Sequence, residues 1–593
     1  MLRECGIVGW VDFDHDVRAH RPTLRAMTAT MALRGPDGEG VWLGRHAGLG
    51  HRRLSVLDPG TGAQPMLAVR DGRVLAAVTY SGFVHSPAGP RTDTEEVLRA
   101  YLRWGEDFAG HLEGMFALAV WDERRECLLL VRDRLGVKPL YYQPVPGGVL
   151  FASEPKGIAA HPLGRLRVGL DGLRELLASV RTPGHAVYAD LREVRPGELV
   201  RVDRDGVCAR RYWRLGAAEH TDGPKSTVDN VRDLVEQAVR ANLRTAVPLC
   251  ALLSGGLDST VVAGLAAREL ERAGADPLRT VAVEVPGSAD GPPARAAAAA
   301  LGTRHETVLL DAAAIADPLP RAEALAALEF PTGLGDFHTS LYLLFRDIAG
   351  HSTVALSGEG ADELFGGYPW CHDERARDAG TFPWLVPPYL VRADPGGPPA
   401  DVLDPGLSAV LDLVEYRDAA YRDALSEVDH VDDEPAAERR MREVRHLQLT
   451  RLLPILLDRT DRMSAACGVE VRVPFCDHRL VEYAHNVPWS LHTADGREKS
   501  LLRAALPRFA PRRRKSPYPT VSDPAYELAL RAQLMHVLED SASPVLPLLD
   551  RARAWHLVVA PIAPPGHDAG RRALELVLGL DLWLRRLPVT LTL

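Results

Sequence analysis

An apolar run at 247–253 (VPLCALL) stops at Ser254-Gly255-Gly256-Leu257-Asp258-Ser259, and a helical pattern takes over at about Thr260. A buried strand, a Ser/Gly turn and a helix start in direct succession constrain the chain to a βα unit whose backbone N–H groups converge on an anion. Glycine lets that backbone approach a phosphate with no Cβ in the way. The loop lacks the lysine of GxxxxGK[ST] and carries Asp258 instead, which suits a Mg²⁺ ion bridging the protein to pyrophosphate. The expected chemistry is cleavage of ATP to AMP and pyrophosphate, with a carboxylate activated as its adenylate. Taken alone, the loop also reads as a plain turn between two core elements.

The pattern around this loop repeats. Apolar positions 228, 231, 234, 235 and 238 follow the helical period. The sequence then predicts a strand at 247–253, a helix at 257–271, a strand at 280–285, a helix at 293–301 and a strand at 306–310. Such alternation argues for a doubly wound parallel sheet, with the loop at the strand end where ligands bind. Beyond about residue 400 the chain reads as helical. The first 200 residues read differently: strands at 7–13, 74–80, 116–121, 127–131 and 149–152, separated by turn dipeptides, and one helix at 93–104. The polar, breaker-rich segment GAAEHTDGPK at 216–225 marks the boundary, giving domains over 1–215 and 226–593.

Hydrophobic residues make up 46% of the 593 residues and charged residues 25%, the profile of a folded soluble protein. A net charge of −9 favours neither nucleic acid nor an acidic membrane surface. The densest basic run, Arg512-Arg513-Arg514-Lys515, is too short to change that. Seven scattered cysteines with no CxxC indicate neither a disulfide framework nor a zinc site, and Cys127 and Cys250 read as small buried hydrophobes. With no signal peptide and no long apolar run, a cytoplasmic location is expected.

A second glycine- and acid-rich segment, Ser357-Gly358-Glu359-Gly360-Ala361-Asp362-Glu363-Leu364-Phe365-Gly366-Gly367-Tyr368, follows the apolar run 353–356. Two such loops on neighbouring strands can close around one nucleotide, with Asp258 and Asp362 sharing Mg²⁺ and Glu359 nearer the reacting carboxyl and amine. A lysine near the α-phosphate would offset charge there, although Lys499 by itself reads as a surface lysine. These segments, together with DRMS, VEVRVPF, EKSLLR and RRKSPYP, resemble the asparagine synthetase family of glutamine-dependent amidotransferases across nearly the whole chain. The resemblance implies a carboxy-terminal ATP-pyrophosphatase-type α/β domain. In it Leu252, Val283, Ser357 and Gly358 line ATP beside Ser254, Gly255, Gly256 and Ser259, and Asp258 and Asp362 hold magnesium. Glu359 serves the making or use of the acyl-adenylate, and Lys499 stabilises phosphate-centred transition states. β-Lactam-forming relatives typically carry Tyr at the Glu359 position, so Glu favours intermolecular amidation.

The amino-terminal half is similar to that family's glutaminase domain, an N-terminal-nucleophile αββα sandwich, through Cys5-Gly6-Ile7-Val8-Gly9, Arg34-Gly35-Pro36-Asp37 and Gly50-His51-Arg52-Arg53. The family's nucleophilic cysteine is its mature first residue, whose own amine takes the thiol proton. Here Met1-Leu2-Arg3-Glu4 precedes Cys5, so only a trim after Glu4 would free that amine. The family's Tyr-Asn-Gly-Glu reads Tyr80-Ser81-Gly82-Phe83. Ser81 replaces an oxyanion donor, a change worth about 10²–10³ in rate. Phe83 replaces a carboxylate expected to bind the glutamine ammonium, and the following loop is short. Arg53 and Asp93, which would hold glutamine, remain.

The expectation is therefore an AMP-forming amide ligase using ATP and Mg²⁺. It joins a small carboxylic acid to ammonia or a small amine, without glutamine. A short segment at 284–299 and Gly335-Asp336-Phe337-His338 in place of Gly-Asp-Met-Asp make a specialised acid as good a fit as aspartate. A homodimer is among the assemblies the resemblance allows. The alternatives are a glutamine-dependent asparagine synthetase activated by trimming to Cys5, and a nucleotide-binding pseudoenzyme.

Overall fold

The computed structural model describes residues 5–54, 56, 63–85, 92–288, 291–387, 389, 400–511, 518–562 and 569–593. The basic run at 512–515, the short loop at 86–90 and the four residues before Cys5 lie outside this set.

Two six-stranded antiparallel sheets stack in the amino-terminal half. The strand Gly6–Asp12 is central to one sheet, between Gly148–Ala152 and Ala47–Arg53. The strand Arg73–Val84 pairs with Gly114–Asp122 in the other. Apolar side chains from both inner faces, among them Ile7, Ala117, Leu128 and Phe151, fill the layer between them. The helix Asp93–Trp104 covers the outside of the second sheet through Val97, Leu98 and Tyr101. Thr92 caps it, accepting the Glu95 N–H, as its N-terminal sequence allows. The helix Arg21–Ala29 covers the first sheet. Together these layers form the expected αββα sandwich.

The carboxy-terminal half is built on five parallel strands. Numbered along the chain, Leu249–Leu252, Arg279–Glu284, Arg304–Leu309, Val354–Leu356 and Glu470–Arg472 lie in spatial order 3-2-1-4-5. The order reverses between Leu249–Leu252 and Val354–Leu356. This is the topological switch point, where doubly wound sheets leave a crevice at their carboxyl ends. The two glycine-rich loops leave these two strands. The helix Leu257–Arg272 is only weakly amphipathic and buries Val261, Val262, Leu265 and Ala266. The helix expected from about 226 begins at Pro224, because proline suits a first helical turn, and runs to Asn242.

The halves are not independent. One continuous core contains residues of both. The strand Val589–Leu591 returns to the amino-terminal half and pairs in parallel with Leu166–Val168. Among the described residues no helix is long and apolar enough to cross a membrane.

Candidate active site

Gly255 in the first loop has a steric reason to be glycine. Gly255 has φ +73°, and a Cβ on it would lie 2.5 Å from the carbonyl carbon of Pro293. Gly256 caps the helix Leu257–Arg272, which puts Asp258 in its first turn. The serines hold the turn closed. Ser259 Oγ accepts the Ser254 N–H at 3.2 Å, and the two hydroxyls are 3.1 Å apart. The second loop presses against the first: a Cβ on Gly358 would meet the Asp258 Cβ at 2.9 Å. Ser357 N–H is fixed to the Arg472 carbonyl at 2.9 Å. Gly360, at φ +91°, turns the chain into the short helix Ala361–Phe365 that carries Asp362. Leu252 and Val283 sit toward the carboxyl ends of adjacent strands on the same rim.

The surface role read for Lys499 from residue type alone is wrong. Its side chain is 3% exposed, and Nζ lies between the two loops, donating to Asp258 and sitting 2.5 Å from Asp362 Oδ1. Burial opposes its charge, but the two carboxylates outweigh burial and hold its pKa well above the usual lysine value. The backbone there is left-handed, φ +54°, at the cap of the helix Ser500–Ala505. Gly367 gives the ammonium its room: a Cβ there would fall 1.9 Å from Asp362 Oδ1 and 2.1 Å from Lys499 Cε.

Two carboxylates from facing loops, gathered on one cation, form a hard-oxygen donor pair. Mg²⁺ is held through one or two carboxylates plus substrate phosphates rather than in an all-protein cage. Asp258 and Asp362 fit that ion.

Glu359 stands beside this pair, on the other side of Gly358. Thr460 Oγ1 donates to its Oε1 at 2.8 Å, and Arg459 Nη2 lies 3.3 Å from the same oxygen. Among the described residues its Oε2, like Arg459 Nε, is buried with no hydrogen-bond partner. Burial pushes the Glu359 pKa up, against the pull of Arg459 and Thr460. The Arg459 guanidinium lies over the Phe337 ring at 4.4 Å, and Phe337 packs on Tyr518 at 4.7 Å. Arg459 thus links Glu359 to the Phe337–Tyr518 ring pair. His338, next to Phe337, is neutral, its pKa depressed by burial to about 3.

The Cys5 site lies at the opposite ends of the same strands. Cys5 packs with Leu54, Val56 and Val354, alongside Val247 and Leu249. Leu54 N–H points at Cys5 Sγ, 3.2 Å away. Ser81 Oγ donates to the Cys5 carbonyl at 2.7 Å. Gly82 has φ +125° and lies against the Met115 carbonyl, where a Cβ would clash at 2.1 Å. Phe83 is 1% exposed, with the Arg472 guanidinium 3.8 Å above its ring. The ring that replaces a family carboxylate is therefore seated under a cation of the carboxy-terminal half. Asp93 is buried and accepts the Val84 N–H at 3.2 Å; burial raises its pKa to about 6. Arg53 ends the strand Ala47–Arg53, half-buried.

The structure thus gathers Ser254, Gly255, Gly256, Asp258, Ser259, Ser357, Gly358, Glu359, Asp362 and Lys499 into one site. Cys5, Ser81, Gly82 and Asp93 form another. Sequence reading missed Arg459 and Thr460, and it placed Gly367 in the second loop without giving it a role. The first two follow Asp458 in a helix whose charged residues interrupt an apolar face, and that interruption was the available signal.

Fold and site together define a two-part, ATP-dependent, amide-forming ligase that yields AMP and pyrophosphate and carries an amidotransferase-type domain. Residues 230–585 match the asparagine synthase family model, and residues 4–213 match the glutamine amidotransferase domain model. The chain belongs to the asparagine synthetase family. It is 38% identical to asparagine synthetase [glutamine-hydrolyzing] 3 of Bacillus subtilis, over 93% of each chain. Identity is 27% to asparagine synthetase 1 of the same organism, over 82% of this chain and 81% of that protein. It is 30% to Escherichia coli asparagine synthetase B, over 62% of this chain and 65% of that protein.

Proposed function

We propose that this chain joins a small carboxylic acid to free ammonia or a small amine, at the site framed by Asp258, Asp362, Lys499 and Glu359. The carrying observation is Lys499, a cation held between two loop carboxylates with Glu359 beside them. Backbone N–H groups of the 254–256 and 357–360 loops cradle the ATP phosphates, and Leu252 and Val283 flank the nucleotide. Asp258 and Asp362 hold Mg²⁺, which when bound neutralises charge on the departing pyrophosphate. A substrate carboxylate oxygen attacks the α-phosphorus, the bond to pyrophosphate breaks, and Lys499 faces the charge that develops there. The nitrogen lone pair then attacks the acyl carbon and AMP leaves. Glu359, its pKa raised by burial, takes the proton the nitrogen sheds.

Two features support a nitrogen source other than glutamine. Ser81 is committed to the Cys5 carbonyl, and Phe83 is committed to Arg472. A second reading, glutamine-dependent synthesis of asparagine after cleavage at Glu4, is favoured by the retained Arg53 and Asp93 and by the glutamine-hydrolysing names of the relatives. Pyrophosphate release separates them. Release with ammonium and not with glutamine supports the first, and equal release with either donor supports the second. No release with a panel of acids and amines would overturn both.

A further inference from the structure

Five consecutive residues of the helix Leu453–Cys467 serve two different places. At about 100° per residue, positions 458, 461 and 462 share one stripe, while 459 and 460 lie off it. The stripe faces the amino-terminal half. Asp461 Oδ2 accepts Arg34 Nη2 at 2.8 Å, and its Oδ1 accepts Lys138 Nζ at 3.0 Å. Arg181 reaches Asp458 at 3.3 Å, and Arg462 donates to the Tyr141 hydroxyl at 2.8 Å. The other side carries Arg459 and Thr460, which hold Glu359. Arg34 is the hub: its remaining nitrogens donate to the Cys5 carbonyl at 3.1 Å and to Glu154 at 2.8 Å. The side chains of Arg34, Lys138, Glu154 and Asp461 are all 1–3% exposed.

Buried ion pairs contribute little net stability, because desolvation offsets their attraction; registry is their best-attested use. Apolar packing alone leaves a helix some freedom to turn about its axis, whereas a charged fork fixes the angle. A rotation of roughly 20° would carry the Thr460 hydroxyl by about 1 Å, given a Cα radius of about 2.3 Å plus the side chain. A misplacement of about 1 Å can cost about 10²-fold in rate.

We propose that Asp461, clamped by Arg34, is a positioning residue for Glu359, so that the amino-terminal half sets the geometry of amide formation whether or not it hydrolyses glutamine. This rests on the role proposed above for Glu359. The full-length protein is assayed with ATP, ammonium and aspartate. Asp461→Asn should lower kcat at least tenfold and leave KM for ATP within about twofold. Thr460→Val should do the same, and the double variant should be no worse than the poorer single one, because both act through one contact. Arg34→Lys, which keeps the charge and loses the fork, gives a smaller loss of the same kind if Asp461→Asn does not fold. Arg174→Ala breaks another contact between the halves, to the carbonyls of Val410 and Leu411, and should change nothing. If aspartate supports no turnover, hydrogen exchange of the 357–367 segment reads the same coupling. It should rise in Asp461→Asn and not in Arg174→Ala. Unchanged kcat or exchange in Asp461→Asn, or losses that add with Thr460→Val, would overturn the proposal. Full activity in Glu359→Gln would instead overturn the role given to Glu359.

Discussion

Lys499 Nζ and Asp362 Oδ1 lie 2.5 Å apart, and the same ammonium also meets Asp258. Three residues separated by more than a hundred positions are thus joined where two strand ends diverge. Two carboxylates so close would repel without the lysine, and a buried lysine would lose its proton without them. The arrangement keeps all three charged at the rim of the sheet, at the place proposed for the phosphates.

Removing that charge should reduce catalysis more than binding. Lys499→Met is expected to lower pyrophosphate release by about 10²–10³-fold, the range found for loss of one preorganised transition-state contact. KM for ATP should move much less. Steady-state kinetics with a pyrophosphate-coupled readout checks this.

Gly367→Ala tests the room given to the ammonium. The added methyl would collide with Asp362 Oδ1 and Lys499 Cε, so the lysine must leave its place between the loops. Activity should fall at least tenfold. The melting temperature should fall as well, because the displaced lysine leaves the Asp258 and Asp362 carboxylates facing each other without it. Calorimetry beside the activity assay separates the two effects.

The acid limb of the pH–rate profile should follow Glu359. Its folded pKa lies above the ordinary carboxylate value, so a reaction needing the carboxylate fails as pH falls through that raised value. Thr460 stabilises the ionised form by donating a hydrogen bond. Thr460→Val should therefore move the acid limb to higher pH, as a profile of kcat measured over pH 5–9 would record.

Asp93 gives a stability prediction of definite sign. Its pKa in the fold is about 6, against 3.8 for the free side chain. The folded protein therefore holds the proton more tightly, and stability falls as pH rises from about 4 to about 6, remaining lower above. Asp93→Asn removes this penalty. It should stabilise the protein by on the order of 1–3 kcal/mol at pH 7.5 and not at pH 4, as denaturant titrations at both pH values would show.

The parallel sheet was legible where strands are apolar and closed by glycine or a helix start, as at Leu249–Leu252 and Val354–Leu356, whereas Glu470–Arg472, with two charged residues of three, carried no such signal; the helix expected at 257–271 is found at Leu257–Arg272. The helix over 93–104 was legible from its period, and the loops were legible because glycine and acid together are a costly combination to bury without a purpose. Lys499 escaped residue-type reasoning, since what buries it is a pair of carboxylates from loops far away in sequence. Thr460 and Arg459 escaped because their partner is about 100 residues distant, and the charged interruption of their helix's apolar face does not name that partner. The return of Val589–Leu591 to the amino-terminal half left no local signal at all: three β-prone residues gain a strand only from their tertiary partner.

The central claim is that nucleotide enters between the 254–259 and 357–362 loops with its α-phosphorus toward the acid. The most direct measurement is the nucleotide product of ATP consumption, resolved by ³¹P NMR in the wild type and in Asp258→Ala. AMP and pyrophosphate in equal amounts from the wild type, with neither formed by Asp258→Ala, is the expected result. ADP and orthophosphate as products, or undiminished ATP cleavage in Asp258→Ala, would contradict it.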